Sequence, residues 1–137
     1  MDGDFSYKTE TDAILGSAFA VLNEVGHGFH EKLYENGLAV EFSHRGIPFE
    51  QQPRYPLLYR GVTISEFVPD LVVFGKIIVD TKVIERITDH EIGQMINYLK
   101  ISGLPLGLIL IFKNPKLEIR RVSLSTQSLI RSRPPAS

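Results

Sequence analysis

The sequence contains no cysteine, which excludes disulfides, thiolate metal sites and cysteine nucleophiles. A reducing compartment such as the cytoplasm suits a chain of this kind. Long hydrophobic runs are also missing, because the longest apolar stretch, residues 104–112, is about half the length that a membrane span needs. Residues 1–10 are polar and acidic, unlike the basic start and apolar run of a signal peptide. We therefore expect a cytoplasmic protein without a membrane segment.

An excess of basic charge is absent as well. The net charge is −1, whereas a protein that coats nucleic acid through charge alone is usually more basic. This argument does not apply to an enzyme whose acidic residues hold metal ions, since the ions restore positive charge locally. With 137 residues, a single domain is the default. We predict one domain over residues 11–124, an N-terminal tail over 1–10 and a loose C-terminal tail over 125–137.

The hydrophobic periodicity changes from helical to strand-like along the chain. Turn and capping residues divide it into segments. The predicted elements are a first helix capped by Thr9 or Thr11, a helix over 31–45, strands over 49–59, 64–74 and 77–84, a helix from Thr88 or Asp89 to 102, and strands over 106–112 and 117–122. This order of two helices, three strands, one helix and two strands predicts an α/β fold with a mixed central sheet flanked by helices.

Two charged residues interrupt the apolar strand at 77–84. Asp80 and Lys82 share one face of it, because successive side chains alternate. If the connection to the preceding strand keeps an even register, Asp70 faces Asp80 with their Cβ atoms about 5 Å apart. Two such carboxylates repel unless a cation lies between them, and a divalent metal with oxygen ligands is the usual solution. Taken alone, these residues fit a solvated strand face with an Asp80–Lys82 surface pair slightly better.

The loop between the two strands decides whether the carboxylates meet. A plain two-residue turn at Gly75 and Lys76 would place Asp70 opposite Thr81 and separate the two acids. A shared site therefore requires an odd-numbered loop, such as residues 74–76, or a bulge in one strand.

Two helical segments carry further candidates. Gln94 and Tyr98 lie four residues apart and share a helix face, although, taken alone, a surface amide and a half-buried ring explain them clearly better. Glu31 and Tyr34 lie three residues apart in the segment GFHEKLY. A glutamate in a capping turn with a tyrosine packed nearby explains this second pair without any function.

Together, these segments resemble a known family. Gly28, Glu31 and Tyr34 match the pattern G-x-x-E-x-x-Y, which resembles the signature of the GxxExxY family of the PD-(D/E)xK nuclease superfamily. Residues 69–70 followed by 80–82 resemble the superfamily motif itself, and residues 94–98 resemble the QxxxY element of RecB-like nucleases. The resemblance implies the PD-(D/E)xK restriction-endonuclease-like fold, a mixed sheet flanked by helices.

The resemblance also implies a metal-dependent active site. Asp70 and Asp80 would hold Mg²⁺ or Mn²⁺, with the backbone carbonyl of Thr81 as a further oxygen ligand. Glu31 would contribute from its helix, directly or through water. Such a metal lowers the pKa of bound water and neutralises charge on a phosphate, so the implied activity is that of a Mg²⁺- or Mn²⁺-dependent nuclease.

Three other residues would complete the chemistry. Lys82 would orient the attacking water or stabilise the developing charge, while Gln94 and Tyr98 would position the water or the scissile phosphate. The implied partner is nucleic acid, with DNA favoured over RNA. Because fold does not imply function, two alternatives stay open: a catalytically idle nuclease-fold module that binds nucleic acid or a partner protein, and an accessory subunit that needs a partner.

Overall fold

A computed structural model describes residues 7–124 of the chain. The predicted loose tail over 125–137 lies outside these residues. The described elements are α1 (Lys8–Val25), α2 (Glu31–Arg45), β1 (Phe49–Gln51), β2 (Tyr55–Tyr59), β3 (Val62–Phe67), β4 (Leu71–Val73), β5 (Ile77–Lys82), α3 (Asp89–Ser102), β6 (Leu106–Ile111) and β7 (Glu118–Val122). None of the helices within residues 7–124 is long and apolar enough to cross a membrane.

The second and third helices have the predicted boundaries. α2 ends before Gly46, which closes the helix in the left-handed conformation with φ 71°. α3 begins after Thr88, whose hydroxyl accepts a hydrogen bond from the His90 N–H. The Glu91 carboxylate in turn accepts a hydrogen bond of 2.8 Å from the Thr88 N–H. This reciprocal capping box fixes the start of α3.

The first helix begins earlier than predicted. The prediction that Thr9 or Thr11 caps it is wrong, because Lys8 is already helical and the capping position is Tyr7. Tyr7 has φ 63°, and no side chain caps this end. The Tyr7 carbonyl accepts the Thr11 N–H at 2.8 Å, so the first turn forms upstream and Thr11 is buried within the helix. The ordered helix therefore starts before the predicted domain boundary at residue 11.

The main sheet has five strands in the order β1-β4-β5-β6-β7. β5 and β6 are parallel, and the other neighbouring pairs are antiparallel. A parallel pair needs a crossover connection, and α3 provides it between β5 and β6. The predicted α/β fold with a mixed, helix-flanked sheet is confirmed.

Helices cover both faces of the central strands. Ile77 and Val79 of β5 point into the core that α1 and α2 close. Ile78 points into a second core beneath α3. Asp80 follows on the α3 face and is only 7% exposed. The alternative of a solvated strand face at Asp80 is therefore wrong, because both faces of this strand are buried.

Two predicted strands are each broken into two, so that five strands and not three precede the third helix. The segment 49–59 is interrupted by Gln52 with φ 54° and by Pro53, which cannot donate to a ladder. The segment 64–74 is interrupted at residues 68–70, where Pro69 has the same effect. β2 and β3 pair only with each other. They form a separate hairpin, called here the β2–β3 hairpin, whose Phe67 ring stacks on Tyr98 of α3 at 3.6 Å between centroids.

Candidate active site

The register of β4 and β5 brings Asp70 to Asp80. Leu71 pairs with Val79 in an antiparallel arrangement. Asp70, which precedes Leu71, therefore lies opposite Asp80, which follows Val79. The connecting turn has three residues, 74–76, and the predicted odd-numbered loop is confirmed. Its Gly75 has φ 67°, a conformation that glycine adopts without steric cost. The Asp70 N–H donates a hydrogen bond of 3.2 Å to the Asp80 carboxylate.

Two acidic side chains line the edge of β5 beyond the end of β4. The Asp70 carboxylate accepts hydrogen bonds from the Thr81 N–H at 2.8 Å and from the Thr81 hydroxyl at 3.1 Å. The Glu31 carboxylate accepts the Val83 N–H at 3.3 Å. In an extended strand, the N–H and C=O of one residue point to the same side. The Thr81 carbonyl therefore lies on this edge, between the two N–H groups that bind the acids.

Burial and mutual repulsion change how both aspartates ionise. Burial raises the pKa of Asp80 to about 7; the charge of Asp70 and, more weakly, that of Glu31 add to the rise. Burial also raises the pKa of Asp70, against the hydrogen bond from the Thr81 N–H that favours its charged form. Two adjacent carboxylates of this kind hold a proton or a cation in preference to two bare negative charges.

Lys82 and α3 complete the surroundings of the two acids. The positive charge of Lys82 lowers the pKa of both Asp70 and Asp80, in opposition to burial. Burial, followed by the charge of Asp80, raises the pKa of Tyr98, so this phenol lies within the reach of that carboxylate's charge. The Gln94 side chain interacts with the Tyr98 hydroxyl and lowers its pKa. The structure thus brings together the predicted residues of β5 and α3.

Comparisons with known proteins assign the chain to a family. A family model described as the PD-(D/E)XK nuclease superfamily matches residues 8–122. The chain belongs to this superfamily. SSO0001, a protein with a solved crystal structure, is similar with a TM-score of 0.52 and 13% sequence identity, over 91% of this chain and 65% of that one. At this identity the likeness shows the shared fold alone, and this chain spans less than two thirds of that protein's length. No curated protein matches the chain.

Membership of the PD-(D/E)XK superfamily confirms the superfamily that the motifs predicted, while the GxxExxY assignment stays a prediction. Two of the three residues of the GxxExxY signature, Gly28 and Tyr34, contact Phe112 and not the aspartates. Gly28, with φ 84°, donates its N–H to the Phe112 carbonyl at 2.8 Å. The buried Tyr34 ring stacks on Phe112 at 4.3 Å between centroids. Both contacts fasten the start of α2 to the end of β6.

The hydroxyl of Tyr34 ties down the loop that leads into α2. It donates to the Gly26 carbonyl at 2.8 Å and accepts the Phe29 N–H at 3.1 Å. Glu31 occupies the first turn of α2 directly after this loop. Tyr34 and Gly28 therefore position the helix that carries Glu31, and neither touches the aspartates.

Sequence reasoning missed a buried glutamate next to the site. Glu35 is 3% exposed, and its charge contributes to the raised pKa of Asp70. Its carboxylate accepts hydrogen bonds from Lys32 at 2.9 Å and from the side-chain amides of Gln51 at 2.6 Å and Gln52 at 3.3 Å. The Gln52 N–H also donates to the Asp70 carbonyl at 2.9 Å. The available signal was its spacing, because a residue four positions after Glu31 lies on the same helix face.

The donor atoms at the edge of β5 suit a hard divalent cation. The carboxylates of Asp70 and Asp80 and the carbonyl of Thr81 are oxygen ligands, which Mg²⁺ prefers. Within residues 7–124, no three His, Cys, Asp or Glu side chains are grouped closely enough to hold a metal ion. Coordination by these residues would thus be completed by water, as is usual for Mg²⁺. Glu31, which is predicted to contribute directly or through water, accepts the neighbouring N–H of Val83.

Proposed function

We propose that this protein is a divalent-metal-dependent nuclease that hydrolyses phosphodiester bonds, with Mg²⁺ or Mn²⁺ as the cofactor and DNA as the favoured substrate. The observation that carries the proposal is the pair of Asp70 and Asp80, which are joined by a hydrogen bond of 3.2 Å with Asp80 buried. Burying two adjacent like charges opposes folding. A site that retains them in this arrangement has a use for them, and cation binding is that use.

Each edge residue has a distinct role in this proposal. Asp70, Asp80 and the Thr81 carbonyl would hold the cation, and Glu31 would support it through water. When bound, the cation would supply an activated water and charge neutralisation at the phosphate. The hydrogen bonds from Thr81 to Asp70 fix one carboxylate, so that the site is shaped before the substrate arrives.

Residues beside the acids act on the substrate. The Lys82 ammonium lies near both carboxylates, where it would stabilise the charge that develops on the phosphate. Gln94 and Tyr98 interact with each other on one face of α3, and both would position the water or the phosphate.

Two further assignments belong to the proposal. The GxxExxY branch is supported by the way Gly28 and Tyr34 fasten the start of α2, because this explains why a glycine and a tyrosine flank the glutamate. A cytoplasmic location is supported by the absence of cysteine.

Incubation with single- and double-stranded DNA and RNA tests the function. Each substrate is combined with Mg²⁺, Mn²⁺ or EDTA and with the wild type or with Asp70→Asn, Asp80→Asn or Lys82→Ala. We expect cleavage of at least one substrate by the wild type with metal, and none with EDTA or with any of the three variants. Undiminished cleavage by Asp80→Asn would show that Asp80 is not part of the active site and would overturn the proposal. Binding without any cleavage would favour the idle nuclease-fold module.

A further inference from the structure

A groove runs between the β2–β3 hairpin and α3. Its volume is about 310 Å³, and its walls include Leu57 and Phe67 from the hairpin and Tyr98 and Ile101 from the helix. We call it the hairpin groove. Leu57 remains 38% exposed, so the groove is open to solvent along the hairpin. A groove of this volume, lined mainly by apolar side chains with a few polar ones, is typical of a small binding site.

Tyr98 connects the hairpin groove to the candidate active site. Tyr98 lines the groove and packs against the core beneath α3, which includes Ile78 of β5. Ile78 lies two positions before Asp80 on the same face of that strand. The Tyr98 ring is the end of an aromatic series, because it stacks on Phe67 at 3.6 Å and Phe67 stacks on Tyr55 at 6.1 Å between centroids. A molecule held at the carboxylates can therefore extend directly into an aromatic and aliphatic slot.

The charge of the groove argues against a duplex as the occupant. Proteins that grip a duplex follow its phosphates with Lys and Arg, and none of the described residues that line the groove is Lys or Arg. The carboxylate at its rim, Glu66, is paired with Arg54 at 2.7 Å. Apolar grooves with aromatic walls bind unpaired nucleobases instead, because every base presents a π-face that stacks on aromatic side chains and packs against aliphatic ones.

We propose that the hairpin groove receives unpaired nucleobases next to the scissile phosphate, so that the substrate is single-stranded nucleic acid. This inference rests on the proposed nuclease function, which puts a phosphate at Asp70 and Asp80. Bases within a duplex are stacked and paired, and they reach such a slot only after unpairing. The groove thus selects single strands or unpaired ends.

The hairpin offers a matched pair of variants for the test. Leu57 pairs with Ser65, which also lines the groove. Leu58, the next residue of the same strand, is 57% exposed and is not among the residues that line the groove; the strand pairing shifts at a bulge between these two leucines. Leu57→Ser and Leu58→Ser therefore remove the same side chain from inside and from outside the groove.

The test measures fluorescence anisotropy of labelled oligonucleotides with the full chain carrying Asp80→Asn, which prevents cleavage. The probes are single-stranded DNA, single-stranded RNA and duplex DNA of the same sequence. We expect a single-stranded probe to bind more tightly than the duplex, and Leu57→Ser to weaken that binding about tenfold, as for the loss of the apolar contact of one leucine side chain. Leu58→Ser should leave it within about twofold of the parent. Thermal melts establish that both variants are folded.

Several results would overturn the inference. These are equal binding of the duplex and the single strand, equal effects of Leu57→Ser and Leu58→Ser, and absence of binding to every probe. A dimer detected by light scattering that Leu57→Ser dissociates would instead assign the groove to a second copy of the chain. Cleavage by the wild type is measured separately. If it is absent while binding still depends on Leu57, the nuclease proposal fails and the groove assignment stands.

Discussion

The backbone N–H of Asp70 donates to the carboxylate of Asp80, and the carboxylate of Asp70 accepts the N–H of the next residue, Thr81. The residue that leads into β4 thereby donates to the acid of β5, and the end of β5 donates to the acid that precedes β4. The two bonds hold the carboxylates side by side in spite of their repulsion. This arrangement has measurable consequences for stability, metal binding and pH dependence.

The first prediction concerns the pH dependence of stability without metal. Burial raises the pKa of Asp80 to about 7 in the folded state, whereas an aspartate in an unfolded chain titrates near about 3.9. Between these values the folded state binds a proton that the unfolded state has lost. The free energy of unfolding therefore falls as the pH rises from about 4 to about 7, and the full loss is present above about 7.

Asp80→Asn removes this titration. In EDTA at a pH above 7, we expect the variant to have a higher free energy of unfolding than the wild type, with a flatter profile between pH 4 and 7, in urea titrations over that range. Asp12→Asn is the control, since Asp12 forms an exposed pair with Lys8 and should change stability by under about 1 kcal/mol. Parallel pH profiles for wild type and Asp80→Asn would contradict the prediction.

The second prediction concerns metal. A cation that binds only the folded state stabilises it by about 2.7 kcal/mol at a hundredfold excess over its dissociation constant. We expect Mn²⁺ to raise the melting temperature of the wild type and of Asp12→Asn, and to leave that of Asp80→Asn nearly unchanged. A wild-type melting temperature indifferent to saturating Mn²⁺ would count against the metal site.

The third prediction separates function from stability on α3. Gln94→Ala should reduce the cleavage rate by at least about tenfold, because the amide would position the water or the phosphate. Its effect on stability should stay within about 1 kcal/mol, since Gln94 is partly exposed. Asn97→Ala, on the exposed side of the same helix, should alter neither quantity. Steady-state kinetics and thermal melts of both variants distinguish these outcomes.

The fourth prediction tests the buried glutamate. Glu35→Gln keeps the shape of the side chain but replaces one acceptor oxygen with an NH₂ group, which cannot accept the hydrogen bonds that the amides of Gln51 and Gln52 donate. We expect a loss of about 1–3 kcal/mol of stability from unsatisfied buried donors. Glu41→Gln is the matched control on α2, because its pair with Arg45 is partly exposed, with side-chain exposures of 25% and 37%. If the two variants denature at the same urea concentration, Glu35 does not support the strand end at Asp70.

The fifth prediction concerns the tyrosine behind the site. Tyr34→Phe preserves the ring stack on Phe112 but loses the hydroxyl that binds Gly26 and Phe29. We expect reduced cleavage because the start of α2 shifts Glu31, together with a stability loss of about 1 kcal/mol. In a double-mutant cycle, Tyr34→Phe should have little further effect on cleavage once Glu31→Gln is present. Additive effects of the two changes on cleavage would place Tyr34 outside the support of Glu31.

Local rules were enough to predict much of this structure. The ends of α2 and α3 follow from Gly46 and the Thr88 capping box, because both signals lie within a few residues of the boundary they set. The meeting of Asp70 and Asp80 follows from the two-residue period of strands and an odd loop around Gly75. In these cases the sequence neighbours of a residue determine its conformation.

Long-range contacts were beyond local rules. Pro53 and Pro56 predict an edge or a bend in the segment 49–59, but not that β2 leaves the main sheet, which it does where Gln52 adopts a positive φ. The burial of Glu35 depends on two glutamines that arrive from another part of the chain. Thr11 is a helix interior residue since the turn at Tyr7 starts the helix first. Each of these outcomes is decided by tertiary packing.

The early end of β4 leaves the N–H groups of Thr81 and Val83 without a partner strand, and a buried backbone donor without an acceptor costs about 1–3 kcal/mol. Asp70 and Glu31 supply the acceptors, since they bind these two N–H groups. Thr81 is only 1% exposed, so water does not reach its N–H in place of the Asp70 carboxylate. The residues proposed to cut nucleic acid therefore also complete the hydrogen bonding of the sheet, and Asp70→Ala would leave a buried N–H of β5 without an acceptor.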